Sequence, residues 1–174
     1  MIRKIGTIGA ALLLSVSVPA LSHDTAINDA QIAHVAYTAG QIDVDAGRQA
    51  LERSRNADVR AFAETMVRDH AAVNAQALAL VQRLHVTPEA NPTSAALTTQ
   101  AADAHRRLGA LQGAAFDRAY VANEVAYHRT VNEALRATLI PNAHNAELKA
   151  LLESGLALFS AHQQHAEQLA RQLR

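Results

Sequence analysis

The amino-acid sequence predicts an all-α fold, an up-down four-helix bundle with one extra short helix. Three observations lead to this prediction. Alanine, the strongest helix former, recurs throughout the chain, whereas the 174 residues include only 7 glycines and 4 prolines. Apolar residues recur at intervals of three and four along four long segments. The breaks between these segments are short, which favours antiparallel neighbours within one bundle.

Residues 1–22 are predicted to be a secretory signal peptide that is cleaved. Arg3 and Lys4 form its basic start, an apolar run covers residues 8–18, and Ala20-Leu21-Ser22 is a small-residue cleavage site. The apolar run is shorter than the roughly 20 residues that span a bilayer. The chain has no cysteine to carry a lipid anchor. Residues 23–174 are therefore predicted to form a single domain that is exported, periplasmic and not lipid-anchored.

The charge of the predicted mature chain argues against two classes of partner. Without the signal peptide, 14 basic residues stand against 16 acidic ones. This balance disfavours binding to nucleic acid or to an anionic membrane surface. No second apolar run follows, so membrane insertion is not expected. Because disulfides are excluded, packing alone must stabilise the domain.

The first two predicted helices cover residues 27–54 and 57–85. The apolar face of the first comprises Ile32, Val35, Ala39, Ile42 and Ala46. Beside it lies a face of small residues that carries one acid, Asp43. Asn56 is predicted to cap the second helix. The stripe of the second helix comprises Val59, Phe62, Met66, His70, Val73, Ala77, Leu80 and Leu84.

The remaining helices follow a proline-containing loop, "HVTPEANPTS". Thr93 or Ser94 is predicted to cap a shorter third helix, about residues 94–109, and a turn between Gly109 and Gly113 follows it. The fourth helix is predicted over residues 114–139, with the stripe Phe116, Tyr120, Glu124, His128, Val131 and Leu135.

The last helix is predicted over residues 143–172, after a break at Pro141 and with Asn142 as its cap. Its stripe comprises Leu148, Leu152, Phe159, His162, Ala166 and Leu169.

Each long helix places one potential metal ligand on its inner face. These four residues are Asp43, His70, His128 and His162. Glu124 and His165 are second candidates, one turn away from His128 and His162, and Asp69, next to His70, is a third. Three imidazoles and a carboxylate suit a divalent transition metal such as Zn, Fe, Mn, Cu or Ni.

Two alternatives remain open for the histidines. They could form a structural hydrogen-bond cluster, in which Asp69 holds the ring of His70 or points to solvent. They could also diverge and stay partly exposed.

Several kinds of site are absent from the sequence. No glutamate is followed by histidine three residues later, so the signature of oxidising di-iron bundles is missing. Met66 is the only methionine after the signal peptide, which excludes a methionine-based Cu(I) site. No nucleophile–base motif, glycine-rich phosphate loop or Cys-x-x-Cys occurs, so no catalytic residue and no organic cofactor is predicted.

Four segments resemble an exported bacterial family of unknown function, DUF4142. They are "AGQIDVDAGRQAL", "ADVRAFAETMVRDH", "GAAFDRAYVANEVAYH" and "LFSAHQQHAEQL". The family pattern includes Phe-Ala-x-x-Met-Val-x-Asp-His, Phe-Asp-x-x-Tyr, a second Asp-His and a closing histidine, which His162 matches. Tyr127-His128 stands in place of the second Asp-His, and Glu124 could supply the lost acid from one turn back. Asp43 replaces the usual glutamate of the first helix.

The resemblance implies a ferritin-like bundle and export, and it implies no activity. Members of this family are often labelled outer-membrane proteins, although this chain shows no membrane element. An oxidase or peroxidase is the least favoured function, because Glu-x-x-His is missing. Two other functions are compatible with the sequence. One is a periplasmic metal-binding module linked to envelope stress, and the other is a non-catalytic structural or interaction bundle.

Overall fold

The computed structural model describes residues 27–173, so the predicted signal peptide lies outside the described residues. The elements are α1 Asp29–Arg53, α2 Ala57–Arg83, α3 Pro92–Gly109, α4 Gly113–Ala134, a π-helical stretch Leu135–Leu139, α5 Ile140–Asn142 and α6 Ala146–Gln172. Residues 27–173 contain no β-strand. The prediction of an all-α bundle with four long helices and one extra helix is confirmed.

Contacts between helix ends give the direction of each helix. The carboxylate of Asp29, at the start of α1, accepts hydrogen bonds from the backbone of His144 and Asn145, just before α6. The helices α1 and α6 are therefore parallel. Arg53, at the end of α1, donates to the carbonyl of Gly109 at the end of α3. When the shorter α3 is counted, each helix in the series α1, α2, α3, α4 and α6 thus runs antiparallel to the helix before it.

The helix α3 lies outside the four-helix core. It packs along α1 and against α4, and it buries only Ser94 and Leu108. It acts as a crossover that returns the chain to the opposite end, so α2 and α4 run parallel in the core formed by α1, α2, α4 and α6. Bundles with a single long crossover include the ferritin-like folds. No helix within residues 27–173 is both long and apolar enough to cross a membrane.

The helix starts confirm one predicted cap and correct another. The side chain of Asn56 accepts from the backbone of α2, as expected. The helix α3 is capped by Asn91, whose Oδ1 accepts from the backbone N–H of Ser94 at 3.1 Å. Ser94 is the third helical residue and its hydroxyl accepts from the backbone N–H of Asn91, so the prediction of Thr93 or Ser94 as the cap was wrong. Asn91 and Ser94 form a reciprocal capping box, and this pair places the cap at Asn91 although serine is itself a frequent N-cap residue.

The end of α4 differs from the predicted break at Pro141. The backbone N–H of Ile140 bonds to the carbonyl of Leu135, five residues back, which widens the helix before the proline. The wider turn moves the carbonyls with which a proline ring would clash. The chain stays helical to Asn142, and Asn145, not Asn142, caps α6.

The interior consists of two apolar clusters with a polar layer between them. One cluster comprises Ile32, Val35, Leu80, Val81, Leu135, Leu139, Leu148 and Leu152. The other comprises Val59, Phe62, Met66, Phe116, Tyr120, Val121, Ala166 and Leu169. The layer between them contains the buried side chains of Asp43, His70, Glu124, His128 and His162. Burial of the apolar clusters on both sides fixes the helices that carry this polar layer.

Gly47 sets the distance between α1 and α2 next to this layer. A Cβ at this position would stand 2.8 Å from Val67 Cγ2 and 3.1 Å from the carbonyl oxygen of Ala63. Ala63 O belongs to the backbone of α2 and cannot move aside alone. Only glycine therefore allows this approach, which brings Asp43 on α1 close to His70 on α2.

Replacing Gly47 by alanine should destabilise the protein by about 1–2 kcal/mol, because an overpacking cost of about 1–3 kcal/mol exceeds the roughly 0.5–1 kcal/mol gained by removing a glycine from a helix. Urea denaturation of Gly47→Ala and wild type would measure this loss. The matched control is Gly109→Ala, whose Cβ would meet Gln49 Nε2 at an ordinary 3.6 Å. Equal stability of the two variants would show that the helices are not constrained at Gly47.

Candidate metal centre

Asp43 lies at the centre of the polar layer. Its side chain is fully buried, and its Oδ2 lies 3.2 Å from His70 Nε2 and 3.4 Å from His128 Nε2. Neither carboxylate oxygen has an aligned hydrogen-bond donor. A carboxylate buried without a donor is strongly unfavourable. The arrangement therefore calls for positive charge between Asp43 and the two rings.

The tautomer of His128 is set by the backbone of its own helix. Its Nδ1 lies 3.0 Å from the carbonyl oxygen of Glu124, one turn back on α4. Because a carbonyl only accepts, Nδ1 must carry the proton. Its other nitrogen, Nε2, faces the carboxylate of Asp43 at 3.4 Å without an aligned hydrogen bond. Two acceptors would face each other in this buried place unless a proton or a cation lay between them.

His162 is oriented by Asp69, which is a correction to one sequence-based alternative. Its Nε2 lies 3.0 Å from Asp69 Oδ2, and Arg68 Nε donates to the other oxygen of Asp69 at 2.8 Å. The carboxylate of Asp69 therefore holds the ring of His162 and not that of His70. The remaining nitrogen of His162, Nδ1, is buried and has no partner.

The electrostatics around Asp69 and His162 support this pairing. Burial alone would raise the pKa of Asp69, but the hydrogen bonds from Arg68 and His162 outweigh burial and lower it. Burial lowers the pKa of His162, and the hydrogen bond to Asp69 offsets only part of this effect. His162 therefore favours the neutral ring, whose unprotonated Nδ1 can bind a metal.

His70 is held by an aromatic stack. Its ring lies parallel to that of Phe159, with the centroids 4.4 Å apart. Both ring nitrogens lack an aligned hydrogen-bond partner. Burial lowers the pKa of His70 to about 4, although the nearby carboxylate of Asp43 acts in the opposite direction. The ring is therefore neutral near pH 7, as a metal ligand must be.

Glu124 adds a second buried carboxyl group to the layer. It is 1% exposed, and neither of its oxygens has a partner as an acceptor. Burial raises its pKa well above the usual value, and the charge of Asp43 raises it further. In the metal-free protein Glu124 is thus held as the neutral acid, and its O–H can donate to the carboxylate of Asp43.

The first-choice residues fall into two overlapping groups that share His128, and one second-choice residue, His165, lies apart from both. One ring nitrogen from each of His70, His128 and His162 lies within 4.8 Å of the others, and a carboxylate oxygen of Asp43 and of Glu124 forms a second such group with His128. His165 is exposed, and its ring packs edge-on against Phe62 at 5.1 Å. Asp69 contacts the layer through His162 alone.

Two polar residues of the layer were not predicted from the sequence. The hydroxyl of Tyr127 donates to the carbonyl of Ala39 at 2.8 Å, which ties α4 to α1 beside the site. Asn74 is buried one turn after His70, and its Nδ2 has no partner. The four-residue spacing from His70 could have identified Asn74, whereas nothing in the sequence indicates the partner of Tyr127.

The distances from Asp43 fit a tetrahedral metal site. Zinc–nitrogen and zinc–oxygen bonds of 2.0–2.1 Å place neighbouring ligand atoms about 3.3 Å apart in a tetrahedron. The two contacts of Asp43 Oδ2, at 3.2 and 3.4 Å, match this separation. The donor set of three imidazole nitrogens and one carboxylate oxygen is also one that zinc accepts.

The lowered pKa of His70 predicts how the stability of the metal-free protein depends on pH. The folded ring has a pKa of about 4 against 6.5 for the free side chain, so the unfolded chain binds more protons between these values. His70 therefore contributes stability above pH 6.5 that is lost as the pH falls to about 4, about 3 kcal/mol in total. The raised pKa of Glu124 changes stability with pH in the opposite direction. The wild type must therefore be compared with a variant that lacks only His70.

The measurement is urea denaturation with chelator at several pH values, for wild type and His70→Gln. The difference in unfolding free energy between the two should shrink as the pH falls from 6.5 to 4. A difference that stays constant over this range would mean that His70 is not held neutral by burial.

Comparisons with known proteins agree with the fold. A solved structure of a DUF305 protein from Streptomyces coelicolor, described as secreted, superposes with a TM-score of 0.70 at 12% sequence identity, covering 82% of this chain and 91% of that chain. At this identity the likeness concerns the fold alone. No curated protein matches the chain. The family model "Domain of unknown function (DUF4142)" matches residues 16–169. The chain therefore belongs to the DUF4142 family, as its motifs indicate.

Proposed function

We propose that this protein is an exported, periplasmic metal-binding protein that holds one divalent transition-metal ion in the middle of its bundle. The ligands are Asp43 Oδ2, His70 Nε2, His128 Nε2 and His162 Nδ1. Glu124 stands beside them as a carboxyl group that can give up its proton when the metal enters. Zinc is the metal whose geometry the spacing fits best, and Fe, Mn, Cu and Ni are the alternatives.

One observation carries the proposal. The Glu124 carbonyl holds a proton of His128 on Nδ1, and Nε2 faces Asp43 Oδ2 at 3.4 Å with no aligned hydrogen bond to either atom, so a cation between them would have a ligand on each side. Both groups are about 1% exposed, so bulk solvent does not reach this contact. A bound cation would convert the unfavourable contact into two coordination bonds.

The orientation of His162 supports the same reading. Metal-binding histidines usually donate their second ring N–H to a carboxylate or a carbonyl, which fixes the ring. His162 makes such a bond to Asp69, and His128 makes one to the carbonyl of Glu124. In two of the three imidazoles, the ring nitrogen that is not the proposed ligand is thus fixed by a hydrogen bond to an oxygen, as in known metal sites.

The alternative, a structural hydrogen-bond cluster, has weaker support. Such a cluster should pair its buried polar atoms with one another. Here the buried atoms without an aligned hydrogen bond include both nitrogens of His70, Nε2 of His128 and Nδ1 of His162. Such an unpaired set suits a ligand-binding centre better than a finished network.

The number of protein ligands suggests retention of the metal, not catalysis on it. A catalytic zinc site commonly has three protein ligands and one open position, whereas four protein ligands close the shell. The proposed site has four ligands and a nearby carboxyl group in a buried layer. We therefore assign it to metal sequestration or to stabilisation of the bundle.

Metal analysis of untagged protein should give about one equivalent of zinc per chain after reconstitution and removal of excess metal. At free zinc 100 times the dissociation constant, unfolding should become harder by about 2.7 kcal/mol. His162→Gln should lose most of the bound metal and this stabilisation, because Nδ1 is removed from the site. Elemental analysis and calorimetry measure the two effects.

The matched control is His165→Gln, on the same helix and outside the cluster, which should bind metal like wild type. Less than about 0.1 equivalents of any tested metal in wild type would count against the proposal. Equal metal content in the His162→Gln and His165→Gln variants would also contradict it.

Asp69 should act as a positioning residue and not as a ligand. Asp69→Ala should weaken metal binding about 10–100-fold, because the ring of His162 loses the carboxylate that orients it. At saturating metal the stoichiometry should stay at one metal ion per chain, whereas the loss of a ligand would lower it. Asp45→Ala, an exposed acid two residues from Asp43, is the control. Competition titration with a chromophoric chelator gives the affinities, and an Asp69→Ala value equal to wild type would exclude this role.

A further inference from the structure

A cation needs a path to the proposed metal centre, because the five polar side chains of the layer are at most 4% exposed. Gly47 closes the interface between α1 and α2, where it meets the backbone of α2. The interface between α4 and α6 is closed by a hydrogen bond of 3.0 Å from Asn132 to Gln163. The interface between α2 and α6 is filled by the stacked rings of His70 and Phe159. Three sides of the centre are thus closed by packing or by a hydrogen bond between helices.

One carboxylate at the interface between α2 and α6 reaches solvent, but both of its oxygens are engaged. The side chain of Asp69 is 19% exposed. Its Oδ1 accepts a hydrogen bond from Arg68, and its Oδ2 pairs with His162. A cation that arrived there would have to displace both partners.

The fourth interface, between α1 and α4, is packed less closely than the other three. A groove of about 550 Å³ lies outside it, between α1, α3 and α4. Ile42, which directly precedes Asp43, and Tyr127, which directly precedes His128, both line this groove, so it lies at the height of the ligands. Ala126 lines it as well and is exposed to solvent. A cation with six waters occupies about 180 Å³, at about 30 Å³ per water, and therefore fits the groove.

A single side chain stands between this groove and the ligands. The ring of Tyr127 lines the groove and lies edge-on to the ring of His128, with the centroids 6.2 Å apart. Its hydroxyl donates to the carbonyl of Ala39 at 2.8 Å, the one hydrogen bond from a side chain of α4 to α1 within residues 27–173. Burial raises the pKa of Tyr127 well above its usual value, and the charges of Asp43 and Glu124 raise it further. The hydroxyl therefore stays protonated and keeps this bond.

We propose that Tyr127 is the gate of the metal centre: its ring rotates into the groove between α1, α3 and α4, and a divalent cation passes from the groove to Asp43 and His128. A cavity of about 150 Å³ holds a benzene ring, so the groove has room for the rotated ring and for a hydrated cation. The inference rests on the proposed metal centre and adds the route by which it is filled. Tyr127 acts on the rate of filling and is not a ligand.

Loss of the hydroxyl should open the gate more often. In Tyr127→Phe, zinc uptake by the metal-free protein and zinc release from the loaded protein should both become about 2–10-fold faster, the value of one hydrogen bond. Because a gate acts equally on entry and exit, the two rates should rise together. A merely structural defect would speed release alone. Stopped-flow mixing with a chromophoric zinc chelator measures release, and competition with a fluorescent zinc indicator measures uptake.

A filled groove should have the opposite effect. Ala126→Phe places a ring in the groove beside Tyr127 and should slow both rates at least about fivefold, because the rotated ring of Tyr127 would be overpacked. The matched control is Ala122→Phe, an exposed alanine one turn earlier on α4 that does not line the groove, and it should keep the wild-type rates. If Ala126→Phe does not fold, Ala102→Phe fills the groove from α3.

Equilibrium binding and rates separate the gate from the metal centre. Wild type that takes up no zinc at equilibrium would overturn the metal centre and the gate with it. Normal zinc content with wild-type rates in Tyr127→Phe would overturn the gate alone. Equal rates in Ala126→Phe and Ala122→Phe would also overturn it and would place the route at another interface, such as that of Asp69.

Discussion

The central constraint of this protein is a carboxylate buried among imidazoles. Asp43 stands in the middle of α1 with His70 and His128 at 3.2 and 3.4 Å and with no aligned donor. The charge cannot be left alone there, since burial of an unpaired carboxylate is among the most unfavourable events in folding. The protonation states of two neighbouring side chains can be understood from this requirement. Glu124 is held as the neutral acid, His70 is held as the neutral ring, and both tendencies weaken only if a cation takes the place between them.

Much of the fold and the inner residues could be predicted because helical periodicity is a strong signal. Each long helix presents its buried side chains at intervals of three and four, and Asp43, His70, His128 and His162 fall on those intervals. Periodicity gives the angle of a side chain about its own helix. When four helices enclose one core, residues at matching heights and inward angles must meet, so the cluster follows from angle and height together. Glu124 was found in the same way, one turn before His128.

The errors arose where periodicity carries no information. His165 follows His162 by three residues, but the buried sequence of α6 continues at Ala166, so His165 turns out to the edge of the bundle. Asp69 precedes His70 directly, and neighbouring helical residues do not face each other. Its partner is His162 on another helix, and such a contact depends on the lateral distance between helices. The caps at Asn91 and Asn145 were missed because several polar residues near each start compete, and only backbone geometry decides among them.

The two apolar clusters explain how the chain tolerates such an unfavourable middle layer. The two clusters bury enough apolar surface to hold the helices in place without help from the polar atoms. The cluster at one end includes Phe62, Met66, Phe116 and Tyr120, and the cluster at the other end includes Ile32, Leu80 and Leu152. The polar atoms of the layer between them can then remain without hydrogen-bond partners. A ligand-binding centre needs such atoms, whereas a structural core does not.

Gly40 and Gly47 flank Asp43 on α1. Gly40 leaves room for the amide of Asn74, and Gly47 leaves room for the backbone of α2. The same close approach of α1 and α2 thus places Asp43 beside His70 and the amide of Asn74 against Gly40. A substitution that separates these two helices must therefore disturb both contacts together.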